Sequence, residues 1–415
     1  MAGRAYLSGV AVSTLLMSIT AAQAGGFALR EQSATSQGAS FAGAAAPGDS
    51  ISAMFWNPSA ITTATGLVVE SHGTIISPSS ELKDATGTLN GFGITGNGGD
   101  VGIDGFVPSS YIAYQVNDQL YLGLSINAPF GLATKSDPAW VGQFDHYRAK
   151  VFSVNVQPTV AYKINDMLSV GVGAQIQYFD VNIQTALDAT SAPDVQRLVG
   201  DDVAFGFTAG LTFTPLDGTV IGLGYRSQLA HALEGNQTFE GGLFAGRYDI
   251  GADVDLPQSV TLGLRQKVTE DFTLLGGIEW TDWSSLGTIP IEGSPVPGAA
   301  LTFEYEDGWF FSLGGEYAWN ENLTLRAGLG YELSPIEDEY RSMRLPDSDR
   351  LWASIGASYK VNDRLSFDAA YTHLFVKDAS IDVDTPTTGP TISYSGTAEG
   401  DVDIFAVSLR YKLGG

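Results

Sequence analysis

Hydrophobic and polar residues alternate with a period of two along most of the chain beyond residue 66. In "MLSVGVGAQIQYF" the series Leu168, Val170, Val172, Ala174, Ile176, Tyr178 opposes Ser169, Gly171, Gly173, Gln175, Gln177. In "DVDIFAVSLRYKL" Phe405, Val407, Leu409, Tyr411 and Leu413 oppose Ala406, Ser408, Arg410 and Lys412. That period belongs to β-strands with unlike faces. Six short sequences punctuate it: "AYQVNDQLYLGLS", "AYKINDMLSVGVG", "TFTPLDGTVIGLG", "RQKVTEDFTLLGG", "EYAWNENLTLRAG" and "SYKVNDRLSFDAA". Each reads as strand, tight turn, strand, because Asn and Asp tolerate the backbone angles that such turns need. Six turns join twelve strands between about Val107 and Val376; one more precedes them (Gly66 to Ile76) and one follows (Asp401 to Leu413), giving fourteen. Seven long connections, rich in Gly, Pro, Ser and acids, are expected near 78–106, 128–149, 184–200, 231–253, 284–307, 336–347 and 376–399.

Composition decides what the two faces meet. The first 24 residues carry Arg4, an apolar run from about Val10 to Ile19, and an Ala22-Gln23-Ala24 end. This predicts a secretory signal (1–24) cut after Ala24, since the run is too short to span a bilayer. An exported chain of 415 residues with no cysteine has no disulfides to hold it. No later apolar run is long enough for a membrane helix, while Gly reaches 50 residues and aromatics 11%. The profile fits an all-β transmembrane antiparallel barrel of about fourteen strands in the outer membrane of a Gram-negative cell, multi-pass. The apolar series then faces lipid and the polar or glycine series the lumen. Tyr121, Tyr162, Trp280, Trp309, Trp319, Trp352 and Tyr359 near strand ends read as interfacial girdles. A soluble secreted sandwich also alternates, but would not need aromatics on a solvent face. A net charge of −25 argues against nucleic-acid or anionic-headgroup binding. No cofactor or metal is expected; the Asp253/Asp255, Asp382/Asp384 and Asp401/Asp403 pairs read as solvated loop charge.

Residues 25–65 do not share the rhythm. They are small and polar, yet Phe27, Leu29, Phe41, Phe55, Trp56 and Pro58 are too apolar for a solvated tail. A fourteen-strand lumen leaks unless filled, so this segment is expected to plug residues 66–415, with Asn57-Pro58 fixing a turn against the wall. In the lumen, Glu316 and Arg326 lie at equal steps from the Asn320-Glu321-Asn322 turn and should form an ion pair. Arg265, Lys267 and Arg410 also point inward by parity.

"GGF" followed by "NPSA" resembles the start of the long-chain fatty acid transporters of the outer membrane, with their Gly-Gly-Phe and Asn-Pro-Ala in a hatch. The likeness continues in "INAPFGLATK" (Ile126 to Lys135), "LPQSVTLGLRQ" (Leu256 to Gln266) and "SPIEDEYRSMRLPDSDRLWASIGASY" (Ser334 to Tyr359). It implies a fourteen-stranded barrel with an N-terminal hatch, in which Asn57, Pro58 and Ser59 form the hatch motif. It implies passive uptake of hydrophobic molecules, long-chain fatty acids or in some branches aromatic hydrocarbons, with a kink in the third strand opening a sideways exit into outer-membrane lipid. The chain is expected to act as a monomer. Family members that take fatty acids place basic residues on the upper fifth strand and near the tenth; "QYFDVNIQ" and "FEYEDGWFF" here hold none.

The resemblance also places first capture between the third and fourth long loops. "APDVQRLVGD" is expected to form a short helix with Val195, Leu198 and Val199 on one face. "HALEGNQTFEGGLFAGRY" holds Leu233, Phe239, Leu243 and Phe244 among glycines. With Phe27 and Leu29 of the hatch, these form the candidate cargo-binding set. An esterase would need His beside Ser, and "HGT", "HYR", "HAL" and "HLF" offer no such partner. A general diffusion porin would lack the plug.

Overall fold

The computed structural model describes residues 25–385 and 392–413. The expected leader and the tip of the seventh loop lie outside the described residues.

Fourteen antiparallel strands close into one barrel. They are β1 (Leu67–Leu89), β2 (Gly105–Gln115), β3 (Leu120–Asn127 and Gly131–Lys135), β4 (Arg148–Lys163), β5 (Leu168–Ala186), β6 (Val195–Leu216) and β7 (Thr219–Arg226 and Leu229–Phe239). The remainder are β8 (Gly246–Leu256 and Ser259–Lys267), β9 (Phe272–Thr281), β10 (Gly308–Ala318), β11 (Leu323–Leu333), β12 (Arg350–Lys360), β13 (Leu365–Val376 and Ala379–Thr385) and β14 (Ile392–Leu413). Closure comes from β1 pairing with both β2 and β14, from Leu67 opposite Leu413 upward.

Four of the six tight turns share one chemistry. The Asn117 side chain accepts the amides of Gln119 and Leu120, both at 2.9 Å. Asn165, Asn320 and Asn362 repeat that arrangement in their own hairpins. An Asn three residues before the strand thus satisfies the turn amides that the ladder leaves open. Outward residues are apolar and exposed, as at Phe205 (73%) and Val407 (62%). Inward neighbours such as Ala204 and Ala406 are buried.

Three sequence expectations need correction. The segment around Val195, Leu198 and Val199 is not a helix: it is the upper part of β6, paired with β5 and β7. The stretch holding Leu233 and Phe239 is likewise strand, and only 240–245 turns between β7 and β8. Strands run well beyond the expected membrane edge because backbone groups above it still need partners. Finally, Tyr121 and Trp352 face inward, where the Trp352 indole donates to Glu332 at 3.0 Å. Trp280 and Trp309 lie opposite each other, and Trp319 and Tyr359 are exposed near the turn end.

Candidate functional site

Residues 25–64 fill the lumen. They contain a single helical turn, α1 (Ala34–Gln37), and two 3-10 turns, Ile51–Phe55 and Pro58–Thr63. Asn57 caps the second 3-10 turn: its Oδ1 accepts the Ser59 amide at 3.0 Å and the Ser59 hydroxyl at 2.7 Å. Its Nδ2 donates to the Ala45 carbonyl at 2.8 Å and the Leu211 carbonyl of β6 at 2.9 Å. Pro58 supplies the fixed φ of a first helical position. Asn57-Pro58-Ser59 therefore fastens the segment to the wall.

The wall makes room with glycine. A Cβ on Gly224 would stand 1.7 Å from the Trp56 carbonyl oxygen, and one on Gly222 1.8 Å from that of Ala45. Charge holds the remainder. Glu70 of β1 accepts from the Ser50 hydroxyl at 2.6 Å and the Ile51 amide at 3.0 Å, and so caps the first 3-10 turn. Arg226 donates to the Phe55 carbonyl at 3.0 Å and lies over the Phe55 ring at 4.3 Å. Arg30 reaches Glu279 at 2.7 Å and Glu332 at 3.2 Å. Glu316 accepts from Arg326 at 2.7 Å, directly opposite in register, and also from Arg265. Arg410 lies 3.7 Å from Glu70, whereas Lys267 pairs with Glu270 at the turn end.

The third strand is interrupted at Ala128-Pro129-Phe130. Below the break β3 pairs with β2 and β4; above it β3 pairs with β4 alone among the barrel strands. Proline cannot donate to a ladder. The plug occupies the exposed backbone: the Leu29 amide donates to the Pro129 carbonyl at 2.8 Å and the Gly131 amide to the Phe27 carbonyl at 2.9 Å. Gln32 Nε2 donates to the Ala128 carbonyl at 2.7 Å.

Above the plug lies an apolar cavity of about 670 Å³. Phe27 forms part of its floor, its ring packed at 4.9 Å against Trp283 and 5.9 Å against Phe130. Phe179, Val181 and Ile183 of β5, Leu198 of β6, Leu233 of β7, and Tyr305 and Arg344 of two loops also line it. Arg344 donates to Asp145 Oδ1 at 3.1 Å, and Tyr394 donates to the other oxygen of that carboxylate at 2.9 Å. The Nε of Arg344 is buried without a partner.

The expected binding residues divide. Phe27, Leu198, Val199 and Leu233 line the cavity, and Leu29 is buried just below it beside Arg30 and Phe55. Val195 stands at the start of β6, away from it. Phe239 is buried under Phe244 (5.9 Å) and Tyr248 (6.2 Å) at the end of the β7–β8 hairpin. Leu243 stands 92% exposed at its tip. Missed were Phe179, Val181 and Ile183. Their signal was present: the inward series of β5 changes from Gln175 and Gln177 to large apolar residues.

The sequence profile of the outer membrane protein transport protein family (OMPP1/FadL/TodX) matches residues 15–413. The chain belongs to this family. A long-chain fatty acid transport protein of Escherichia coli O6:H1 is 24% identical, covering 98% of each chain. Outer membrane protein P1 of Haemophilus influenzae is 26% identical over 97% of this chain and 98% of its own. Among solved structures, a Pseudomonas aeruginosa FadL homologue superposes with a TM-score of 0.88 at 22% identity, covering 94% of this chain and 100% of that one. The Ralstonia pickettii toluene transporter TbuX gives 0.67 at 18% identity, covering 92% and 99%. Like other OMPP1/FadL/TodX members, this is an outer-membrane β-barrel of a transport family.

Proposed function

We propose that the protein is a passive uptake channel for hydrophobic molecules, with long-chain fatty acids as cargo and a hatch formed by residues 25–65. The cavity carries this reading. Its volume of about 670 Å³ suits a ligand of many heavy atoms, whereas a single-ring hydrocarbon would leave most of it empty. Each CH₂ removed from water gains ~0.8 kcal/mol, so an acyl chain binds such a wall without further help. The buried, unpartnered Nε of Arg344 supplies a donor for a carboxylate head. Exit follows the break in β3: withdrawal of residues 27–32 leaves the Pro129 region open toward the membrane. Aromatic-hydrocarbon uptake is the second reading, favoured by the fold shared with TbuX.

Competition binding on purified protein separates the two. A fluorescent long-chain fatty acid should be displaced by palmitate far more readily than by alkylbenzenes, and Arg344→Gln should weaken palmitate but not an alkane of equal length. Equal displacement by alkylbenzene, or equal palmitate affinity in the variant, would reject the fatty-acid assignment.

A further inference from the structure

The chain is strongly acidic, with 46 Asp and Glu against 21 Lys and Arg. Among the described residues, most basic side chains have an acid partner, in the lumen, the turns or the loops. Five that do not are gathered on one outer face. The register places Lys135 of β3 opposite Arg148 of β4, Arg148 opposite Gln184 of β5, and Gln184 opposite Arg197 of β6. Arg197 in turn faces Thr238 of β7, and Thr238 faces Arg247 of β8. This is one continuous row across six strands. At ~4.8 Å per strand it is about 24 Å wide. Lys150 adds a fifth charge one row lower.

The row points away from the lumen. Arg148 and Lys150 share parity with Phe152, Val154 and Val156, whereas Ala149 and Val151 on the opposite face are buried. Lys135, Arg148, Arg197 and Arg247 are exposed, and none forms an ion pair; the Arg197 Nε only touches the Asn182 side chain, at 3.3 Å. The height is informative as well. Val154 lies six residues below Arg148, which at ~3.3 Å per residue and a tilt of ~40° is about 15 Å nearer the membrane centre. The acids facing this patch are Glu240, one row above the basic row, Asp249, one row below it in the row of Lys150, and Asp180, Asp201 and Glu234, two rows below. The row of Arg148 itself holds no acid, so positive charge prevails at that level.

The overall charge argues against anionic headgroups, but this local row departs from it, and we propose that this face binds the phosphorylated sugar headgroup of the lipopolysaccharide that forms the outer leaflet. The chemistry is that of a phosphate on a carbohydrate, held just above the hydrocarbon, where exposed guanidinium groups can meet it two-pronged. The outer-membrane location is already established for the family, and the pore's own cargo does not enter the argument.

The test uses the full chain in detergent, titrated with bisphosphorylated lipid A and followed by native mass spectrometry. Each basic residue near an anionic surface contributes ~1 kcal/mol, or about five-fold. The Arg148→Gln/Arg197→Gln variant should therefore bind lipid A about twenty-five-fold more weakly, and raising salt should weaken the wild type. The Arg364→Gln/Lys412→Gln variant at the opposite end of the barrel should bind normally. Enzymatically dephosphorylated lipid A should not distinguish wild type from the first variant, and inorganic phosphate alone should not displace lipid A at equal concentration. Unchanged lipid A affinity in the first variant, equal weakening in the second, or full displacement by inorganic phosphate would each overturn the assignment. Heat-modifiable mobility confirms folding of both variants.

Discussion

Replacing Gly224 by Val should unseat the plug while leaving the barrel closed. The first added carbon would lie 1.7 Å from the Trp56 carbonyl oxygen and 2.7 Å from its carbon. Reaching an ordinary contact requires the chain at Trp56 to withdraw by about 1.5 Å. Three nearby hydrogen bonds do not survive that shift: Arg226 to the Phe55 carbonyl at 3.0 Å, and Asn57 to the Ala45 and Leu211 carbonyls at 2.8 and 2.9 Å. Losing them at ~1 kcal/mol each, with residual overpacking, costs about 3–5 kcal/mol, or a factor of about 10² to 10⁴ in the seated population. Gly276 offers the control, because a Cβ there meets nothing within 4 Å. Limited trypsinolysis reads the outcome, since Arg30 is the one basic residue between positions 25 and 65 and is mostly covered in the seated state. Gly224→Val should become sensitive at Arg30 and admit a polar dye into cells, with unchanged heat-modifiable mobility, while Gly276→Val resembles wild type. A Gly224→Val protein that protects Arg30 and excludes dye would refute the idea that this close approach seats the plug.

Two further outcomes follow from the charges. Glu316→Gln leaves the Arg265 and Arg326 guanidiniums facing each other in the lumen without their shared carboxylate, and should cost about 3 kcal/mol in urea unfolding; the Arg265→Gln/Glu316→Gln pair should recover part of it, and an unchanged midpoint in the single variant would contradict the bridge. His146, in the loop between β3 and β4, is held down to about 3 by burial first and the Arg344 charge second. Its neutral form fits the folded loop, so stability is intact above the unfolded value of ~6.5 and declines as pH falls from there toward 3, by up to ~1.4 kcal/mol per pH unit. Protease nicking of residues 136–147 should rise between pH 6.5 and 4, and His146→Gln should flatten that rise; identical curves would exclude His146 as the cause.

The barrel was legible because its signals are local. Asn at a fixed step before the strand marks four of the six turns, and alternation assigns each residue to lipid or lumen; Glu316 and Arg326 could be paired from one hairpin alone. The upper half was not legible for the same reason. Val195, Leu198 and Val199 satisfy a helical spacing, but their backbone is claimed by β5 and β7, and no local signal reports that claim. The plug contacts join residues far apart: Arg30 meets Glu279 and Glu332 across 249 and 302 positions. The cavity was half legible. Leu198 and Leu233 are apolar residues in stretches that read as loops, yet they line it from strands, whereas Leu243, apolar in the same kind of stretch, is exposed at a hairpin tip.

Phe27 serves two neighbours at once: its ring is part of the cavity floor, and its carbonyl holds the Gly131 amide at the break in β3. Occupancy above and closure at the side are therefore thermodynamically linked variables. A ligand that displaces the ring by some free energy loosens the backbone by the same amount, and by reciprocity a pinned backbone must weaken the ligand by that factor. The work of opening is then drawn from the affinity of the transported molecule itself. Because the sequence contains no cysteine, a single engineered pair joining this segment to β3 would measure that coupling without interference from any other thiol.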